Sequence, residues 1–210
     1  MTWRPYHRPA WAEKPAVIIA SGPSLSDEQL GIVESSHLEL RCHVITVNNT
    51  LERAPWADVA YFGDYSAIKH YRPKLAPLTM AEWVTQDRAS AERWKITHLK
   101  PANRPGLSLN CVHLNGNSGA QAINVAACFG AKRILLLGFD MQDDPKTGKA
   151  HWFGQHPKPL VNVQLYAEWL HKLKALAVDA RRYHIDIVNC TGGGVLEEFP
   201  HGNIRESIAW

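Results

Sequence analysis

Four cysteines in 210 residues, with no C-x-x-C pair among them, point to neither a disulfide framework nor a zinc knuckle. Cys42, Cys111, Cys128 and Cys190 are scattered, three of them in or beside apolar runs, and read as reduced core thiols of a cytosolic protein. No apolar stretch approaches the ~20 residues that span a bilayer. The N-terminus lacks the apolar core of a signal peptide, so the expected location is the cytoplasm. An excess of one charge is also missing. Lys plus Arg number 23 against 20 for Asp plus Glu, a balance of +3 that is too weak to indicate nucleic acid, and the eleven histidines add charge only in mildly acidic conditions. Both common phosphate fingerprints are absent, G-x-x-x-x-G-K-[ST] and G-x-G-x-x-G. Gly148-Lys149 has no strand before it and no Ser or Thr after the lysine, so it does not replace them.

What is present is an ordinary globular composition, 45% hydrophobic and 20% charged, sufficient for one core. The reading is an aromatic and basic arm over residues 1–15 followed by one α/β domain over 16–210. The stretch from Asn115 to Gln142 organises it. Ser118, with Asn117 before it, offers a side-chain oxygen to cap a helix start. Ile123, Ala126 and Ala127 recur at helical spacing, and Gly130 suits a helix C-terminus. The apolar run Ile134 to Leu137 is too short for a helix with these flanks and reads as a central strand of a parallel sheet. Asp140 leaves its carboxyl end, the edge where open α/β sheets gather ligands.

The same logic runs through the rest of the chain. Ala16 to Ala20 is a strand emptying into Ser21-Gly22-Pro23-Ser24, with a helix from about Asp27, a geometry that presents backbone amides to an anion or simply makes a tight turn. His43 to Val47 is a strand ending in Asn48-Asn49-Thr50, whose amides suit a sugar hydroxyl or base edge, or again a turn. Asp58 to Phe62 ends in Gly63-Asp64-Tyr65. Between Ser66 and Pro105 the pattern loosens. Helices over Ile68 to Leu75 and Met80 to Arg88 and a strand over Trp94 to Leu99 are the expectation, with residues 66–105 a lid, an insert or an oligomer contact. Val161 to Arg182 reads as a core-covering helix with Leu165, Trp169, Leu173 and Leu176 as its stripe. Ile185 to Val188 is the last strand, emptying through Thr191 and Gly192 to Gly194 toward the same edge, with a short helix over Val195 to Phe199. The fold class is a three-layer α/β/α domain with a mostly parallel, doubly wound, Rossmann-like sheet.

His151-Trp152-Phe153-Gly154-Gln155-His156 is the most chemical-looking segment. A neutral imidazole can take a proton from an attacking hydroxyl. Alternatively the two histidines and Asp140 bind a divalent metal, or they do no chemistry. In the arm, Trp3, Tyr6 and Trp11 among Arg4, His7 and Arg8 suit either stacking on a base or packing on the domain or a neighbouring subunit.

Strand-Gly22-Pro23-Ser24-Leu25, Asn48 after the second strand, Asn117-Ser118-Gly119 opening a helix, Gly138-Phe139-Asp140 after a buried strand, and the histidine-aromatic-x-glycine turn stand in an order that resembles the bacterial lipooligosaccharide sialyltransferases. The order also resembles the wider domain family of 6-hydroxymethylpterin pyrophosphokinase, including uncharacterised phage-encoded members. The resemblance spans about Ala16 to Phe199. It implies a nucleotide-sugar-dependent glycosyltransferase acting by direct displacement, with Ser21, Gly22 and Asn48 around the nucleotide, Ser118 and Gly119 on the donor sugar or its phosphate, and His156 or His151 as general base. Asn49, Asp64, Asp140, Gln142, Thr191 and Gly192 complete the expected substrate contacts. It implies no metal and no cofactor, a nucleotide or nucleotide sugar and a glycan or small-molecule acceptor as partners, and a possible homo-oligomer. This chain departs from the transferases in carrying Ser21 in place of an asparagine, Gln155 before His156, and no tyrosine between Asp140 and His151. The pterin kinase branch implies instead diphosphate transfer from ATP, with Asp64, Asp140, Asp143 and Asp144 around a divalent ion. A non-catalytic phage accessory protein that keeps a nucleotide-binding cleft is the third reading.

Overall fold

Short apolar runs alternating with helices build a parallel sheet, because a crossover helix returns each strand in the same direction and covers its face. In chain order the strands of this computed structural model are β1 (Ala16–Ile19), β2 (His43–Val47), β3 (Val59–Tyr61), β4 (Glu82–Thr85), β5 (Thr97–His98), β6 (Pro101–Ala102), β7 (Val112–His113), β8 (Arg133–Leu137) and β9 (Asp186–Asn189). The helices are α1 (Asp27–Leu38), α2 (Tyr65–Leu75), α3 (Arg88–Trp94), α4 (Ser118–Phe129), α5 (Tyr166–Arg182) and α6 (Ile204–Ile208). The structure describes residues 4–158, 160 and 164–209; the expectations that fall on residues 2, 3 and 161–163 lie outside it. Seven strands pair in the order β5-β4-β3-β2-β1-β8-β9, all parallel, and β6 and β7 form a separate two-stranded pair.

Alternation along β1 divides the core into layers. Ile18 belongs to the same core layer as Ile123 and Ala126 of α4 and Leu173 and Leu176 of α5, while Val17 and Ile19 belong to the layer of Leu30 and Val33 of α1 and Ile204 and Ile208 of α6. The sheet is therefore covered on both faces, which is why its strands read as continuous apolar runs. A third cluster joins Phe62 to Ala67 and Ile68 of α2 and to Trp83.

Three expectations are corrected. Met80 to Arg88 is not a helix: Trp83, Val84 and Thr85 are buried, and β-branched and aromatic neighbours favour the pleated β4, so the helix α3 starts only at Arg88, capped by Asp87. The 66–105 segment thus supplies two strands to the sheet itself. Val195 to Phe199 is irregular, because Gly194 at φ +100° precedes it, Pro200 follows, and Asn189 Nδ2 donates to the Leu196 carbonyl at 3.0 Å. The C-terminal helix is α6, capped by Asn203. The long helix begins at Tyr166, with Leu165 45% exposed, so only Leu173 and Leu176 of the expected stripe are buried.

The arm, from Arg4 onward, packs on the domain. Trp11 stacks on His43 at 4.5 Å and meets Phe129 edge-on at 5.0 Å. Arg8 lies 3.7 Å over the Phe129 ring and pairs with Glu82 at 2.8 Å, and Tyr6 Oη accepts from the Lys100 amide at 3.0 Å.

The strand order sets the place of the site. From β1 the chain winds outward through β5, then returns to the other side of β1 as β8 and β9. The loops leaving β1 and β8 consequently part in opposite directions, and the crevice between them is the topological switch point.

Candidate functional site

A cavity of about 270 Å³ opens at that switch point, slightly below the ~300–1,000 Å³ of typical small-molecule sites. It gathers Ser21 and Gly22 from the loop after β1, Asn48 after β2, Asp64 after β3, Asn117, Ser118 and Gly119 at the start of α4, Asp140 and Gln142 after β8, and both His151 and His156. Pro23, Ser24, Asn49, Thr191 and Gly192 do not line it. Asn49 is buried elsewhere, and the Thr191 hydroxyl accepts from the Phe139 amide at 3.0 Å, a structural duty that removes it from the wall.

Glycines let the two loops of the crevice touch. The Gly22 amide donates to the Gly138 carbonyl at 2.9 Å, and a Cβ on Gly22 would stand 1.9 Å from Asp140 Oδ2 and 2.5 Å from the Gly138 oxygen. Asp140 is 5% exposed; its Oδ1 accepts from the Ser24 amide at 3.2 Å and its Oδ2 has no partner. Burial pushes its carboxyl above the usual range, opposed by the Ser24 hydrogen bond. Asp140 therefore orients the Ser21–Ser24 loop from beneath.

The cap of α4 comes from Asn117, whose Oδ1 accepts from the Ala120 amide at 2.8 Å, so Ser118 is the first helical residue and its hydroxyl is left to the cavity. The helix start carries roughly half a positive charge. No Lys or Arg lines the cavity among the described residues.

The two histidines differ. Nδ1 of His151 lies 3.0 Å from Ser21 Oγ, and its Nε2 is buried without a partner. Burial, with the nearby His156, lowers its pKa to about 4, against the opposing effects of Ser21 and Asp143. It is neutral at pH 7 and a weak base, enclosed at both nitrogens. His156 stacks edge-on to it at 4.6 Å, with Nδ1 3.4 Å from the Tyr71 hydroxyl. Burial lowers its pKa too, while Asp64 acts in the opposite sense. Its Nε2 is the nitrogen left for a ligand.

Among the described residues no three His, Cys, Asp or Glu side chains gather as a cation site. The four aspartates of the kinase reading are dispersed in role. Asp64 caps α2 through the Ala67 amide, Asp143 accepts from the Tyr166 hydroxyl at 2.7 Å, and Asp144 holds its own turn through Lys146 and Thr147.

Sequence reasoning missed Gln121, Gln164, Tyr166 and Trp169, which also line the cavity. Gln121 was findable, three residues after Ser118 on the same helix face; its Oε1 accepts from the buried Tyr61 hydroxyl at 2.8 Å. Trp169 was assigned to the core stripe, and only the fold reveals that the first turn of α5 overhangs the crevice.

No protein-family model matches the sequence, and no curated protein matches it. No helix among the described residues is long and apolar enough to cross a membrane. Among solved structures, the MAf glycosyltransferase from Magnetospirillum magneticum AMB-1 superimposes with a TM-score of 0.64 over 95% of this chain at 15% identity. This chain spans 35% of that protein's length, and what the two share is the α/β fold built around the parallel sheet.

Proposed function

We propose that this domain transfers a glycosyl group from a nucleotide sugar to an acceptor hydroxyl. The observation that carries the reading is the meeting, in one cavity at the switch point, of the α4 start, the two touching loops and an imidazole engaged by Tyr71 through Nδ1. The likeness in fold to a glycosyltransferase supports it. His156 Nε2 takes the acceptor proton as the acceptor oxygen bonds to the anomeric carbon. The bond from that carbon to the phosphate oxygen breaks, and the electron pair leaves with the nucleotide. Backbone amides at the start of α4 and the Ser118 hydroxyl stabilise the charge on the departing phosphate, an effect that can lower the barrier by several kcal/mol, about 2.7–4 for one such donor. A helix start offers about half a charge, which suits a single bridging phosphate, as in a cytidine-monophosphate sugar, better than a diphosphate. His151 holds Ser21 in place and does not reach the acceptor.

Thermal-shift measurements with CMP, CDP and UDP, and with ATP plus magnesium, test this. A pyrimidine nucleotide at 100 times its Kd stabilises by ~2.7 kcal/mol, roughly 5–10 °C for a domain of this size, and needs no added metal. Stabilisation confined to ATP with magnesium transfers the assignment to diphosphate transfer. No shift with any nucleotide, together with wild-type behaviour of His156→Ala in its host, makes the domain a non-catalytic binding protein.

A further inference from the structure

Resting on the glycosyltransfer reading, we infer that the α5 end of the cavity is the acceptor subsite and that it takes an uncharged saccharide. Tyr166 and Trp169 are separated by three positions at the start of α5, so both project from one face of the helix, over the crevice. Their rings stand 5.5 Å apart at 89°, two aromatic surfaces that form a corner. Each is held from outside the helix. The Tyr166 hydroxyl donates to Asp143 at 2.7 Å, which fixes the ring against the loop after β8. Trp169 lies against Gly116, where φ is +85° and a Cβ would be 3.2 Å from the indole and 2.9 Å from Lys172 Nζ. That close approach brings the indole to the loop immediately before the α4 start, beside the position assigned to the donor phosphate.

A rigid aromatic wall gives the apolar face of a sugar ring a large contact area at small entropic cost. The side-chain amides of Gln142 and Gln164, which also line the cavity, both donate and accept, as ring hydroxyls require. Charge then selects among sugars. No described Lys or Arg lines the cavity, Asp64 and Asp140 do, and burial keeps His151 and His156 toward their neutral forms. Lys172, beside Gly116 at the edge of the cavity, is already paired with Glu168, so an acceptor carrying a carboxylate or phosphate would lose its hydration here without gaining a free counter-charge.

Saturation-transfer NMR in the presence of CMP tests this, with methyl β-galactopyranoside, methyl α-glucopyranoside and lactose as neutral probes and methyl β-glucuronide and glucose 6-phosphate as anionic ones. The expected result is a signal from at least one neutral probe and none from either anionic probe. Trp169→Leu should weaken the neutral signal at least fivefold in a variant that still folds, as its thermal melt without ligand reads; Tyr166→Leu serves if the first variant does not fold. Equal binding of anionic probes, an undiminished signal in the folded variants, or no neutral binding overturns the subsite. Neutral binding without any CMP shift keeps the subsite and removes the nucleotide-sugar reading, so the two fail separately.

Discussion

The Tyr71 hydroxyl lies 3.4 Å from Nδ1 of His156, across the imidazole from Nε2. For Nε2 to receive a proton, Nδ1 must carry one, and Tyr71 is then the acceptor that holds this tautomer. Burial raises the Tyr71 phenol above its ordinary range, so it stays un-ionised at neutral pH. His156→Ala should lower kcat by ~10²–10⁴, the usual contribution of a general base. Tyr71→Phe should cost less, roughly tenfold, with donor KM unchanged. Because an acceptor on Nδ1–H favours the imidazolium, losing it lowers the His156 pKa further and moves the acidic limb of the pH–rate profile to lower pH. A kcat and a profile identical to wild type would remove Tyr71 from the mechanism.

Acid should weaken the fold through His151. Its folded pKa, about 4, lies below its ordinary value of 6.5. The unfolded chain therefore binds the proton first as pH falls. The stability associated with the neutral ring is fully present above 6.5 and is lost progressively as pH falls from 6.5 to about 4. Urea midpoints measured at half-unit steps across that window should fall more steeply in wild type than in His151→Gln. Parallel curves would show that His151 is not held neutral.

Two glycines make opposite predictions. Gly22→Ala places a methyl 1.9 Å from Asp140 Oδ2 and 2.5 Å from the Gly138 oxygen, so the crevice must open. The expected cost is ~1–3 kcal/mol in chemical denaturation, with loss of the nucleotide thermal shift. Gly31→Ala, inside α1 with nothing within 4 Å of the new carbon, should stabilise by about 0.5–1 kcal/mol and leave nucleotide binding untouched.

Asn117→Ala removes the cap of α4 and leaves the Ala120 amide without its acceptor. A loss of ~1 kcal/mol is expected. Because Asn117 also lines the cavity, the nucleotide shift should shrink at the same time, which isothermal titration would read as weaker affinity.

The central part of the fold was readable because local and long-range signals agree there. The small residues of α4, Gly130 at φ +110° and the apolar β8 follow one another with the chemistry each boundary requires, although the cap falls on Asn117, one residue before the expected Ser118. Glu82 to Thr85 was misread because four residues carry too little periodicity to separate strand from helix, and the pairing with β3 that decides the matter is non-local. The ends of strands pointed to Ser21, Asn48, Asp64 and Asp140 in advance, since a parallel sheet delivers all its carboxyl ends to one edge. Thr191 and Gly192 followed the same logic, yet the Thr191 hydroxyl is used by Phe139. Trp169 could not be placed from spacing, because an apolar residue on a helix face looks alike whether it meets a core or a crevice.

The outward progression of strands also orders the assembly of the molecule during synthesis. From β2 to β5 each new strand finds its partner in the one completed just before it, whereas Ala16 must await Ile134. A nascent polypeptide halted ahead of Arg133 would own most of the sheet and lack half of the seam where chemistry is assigned. The complete crevice should therefore emerge late and abruptly, after most of the scaffold has already formed.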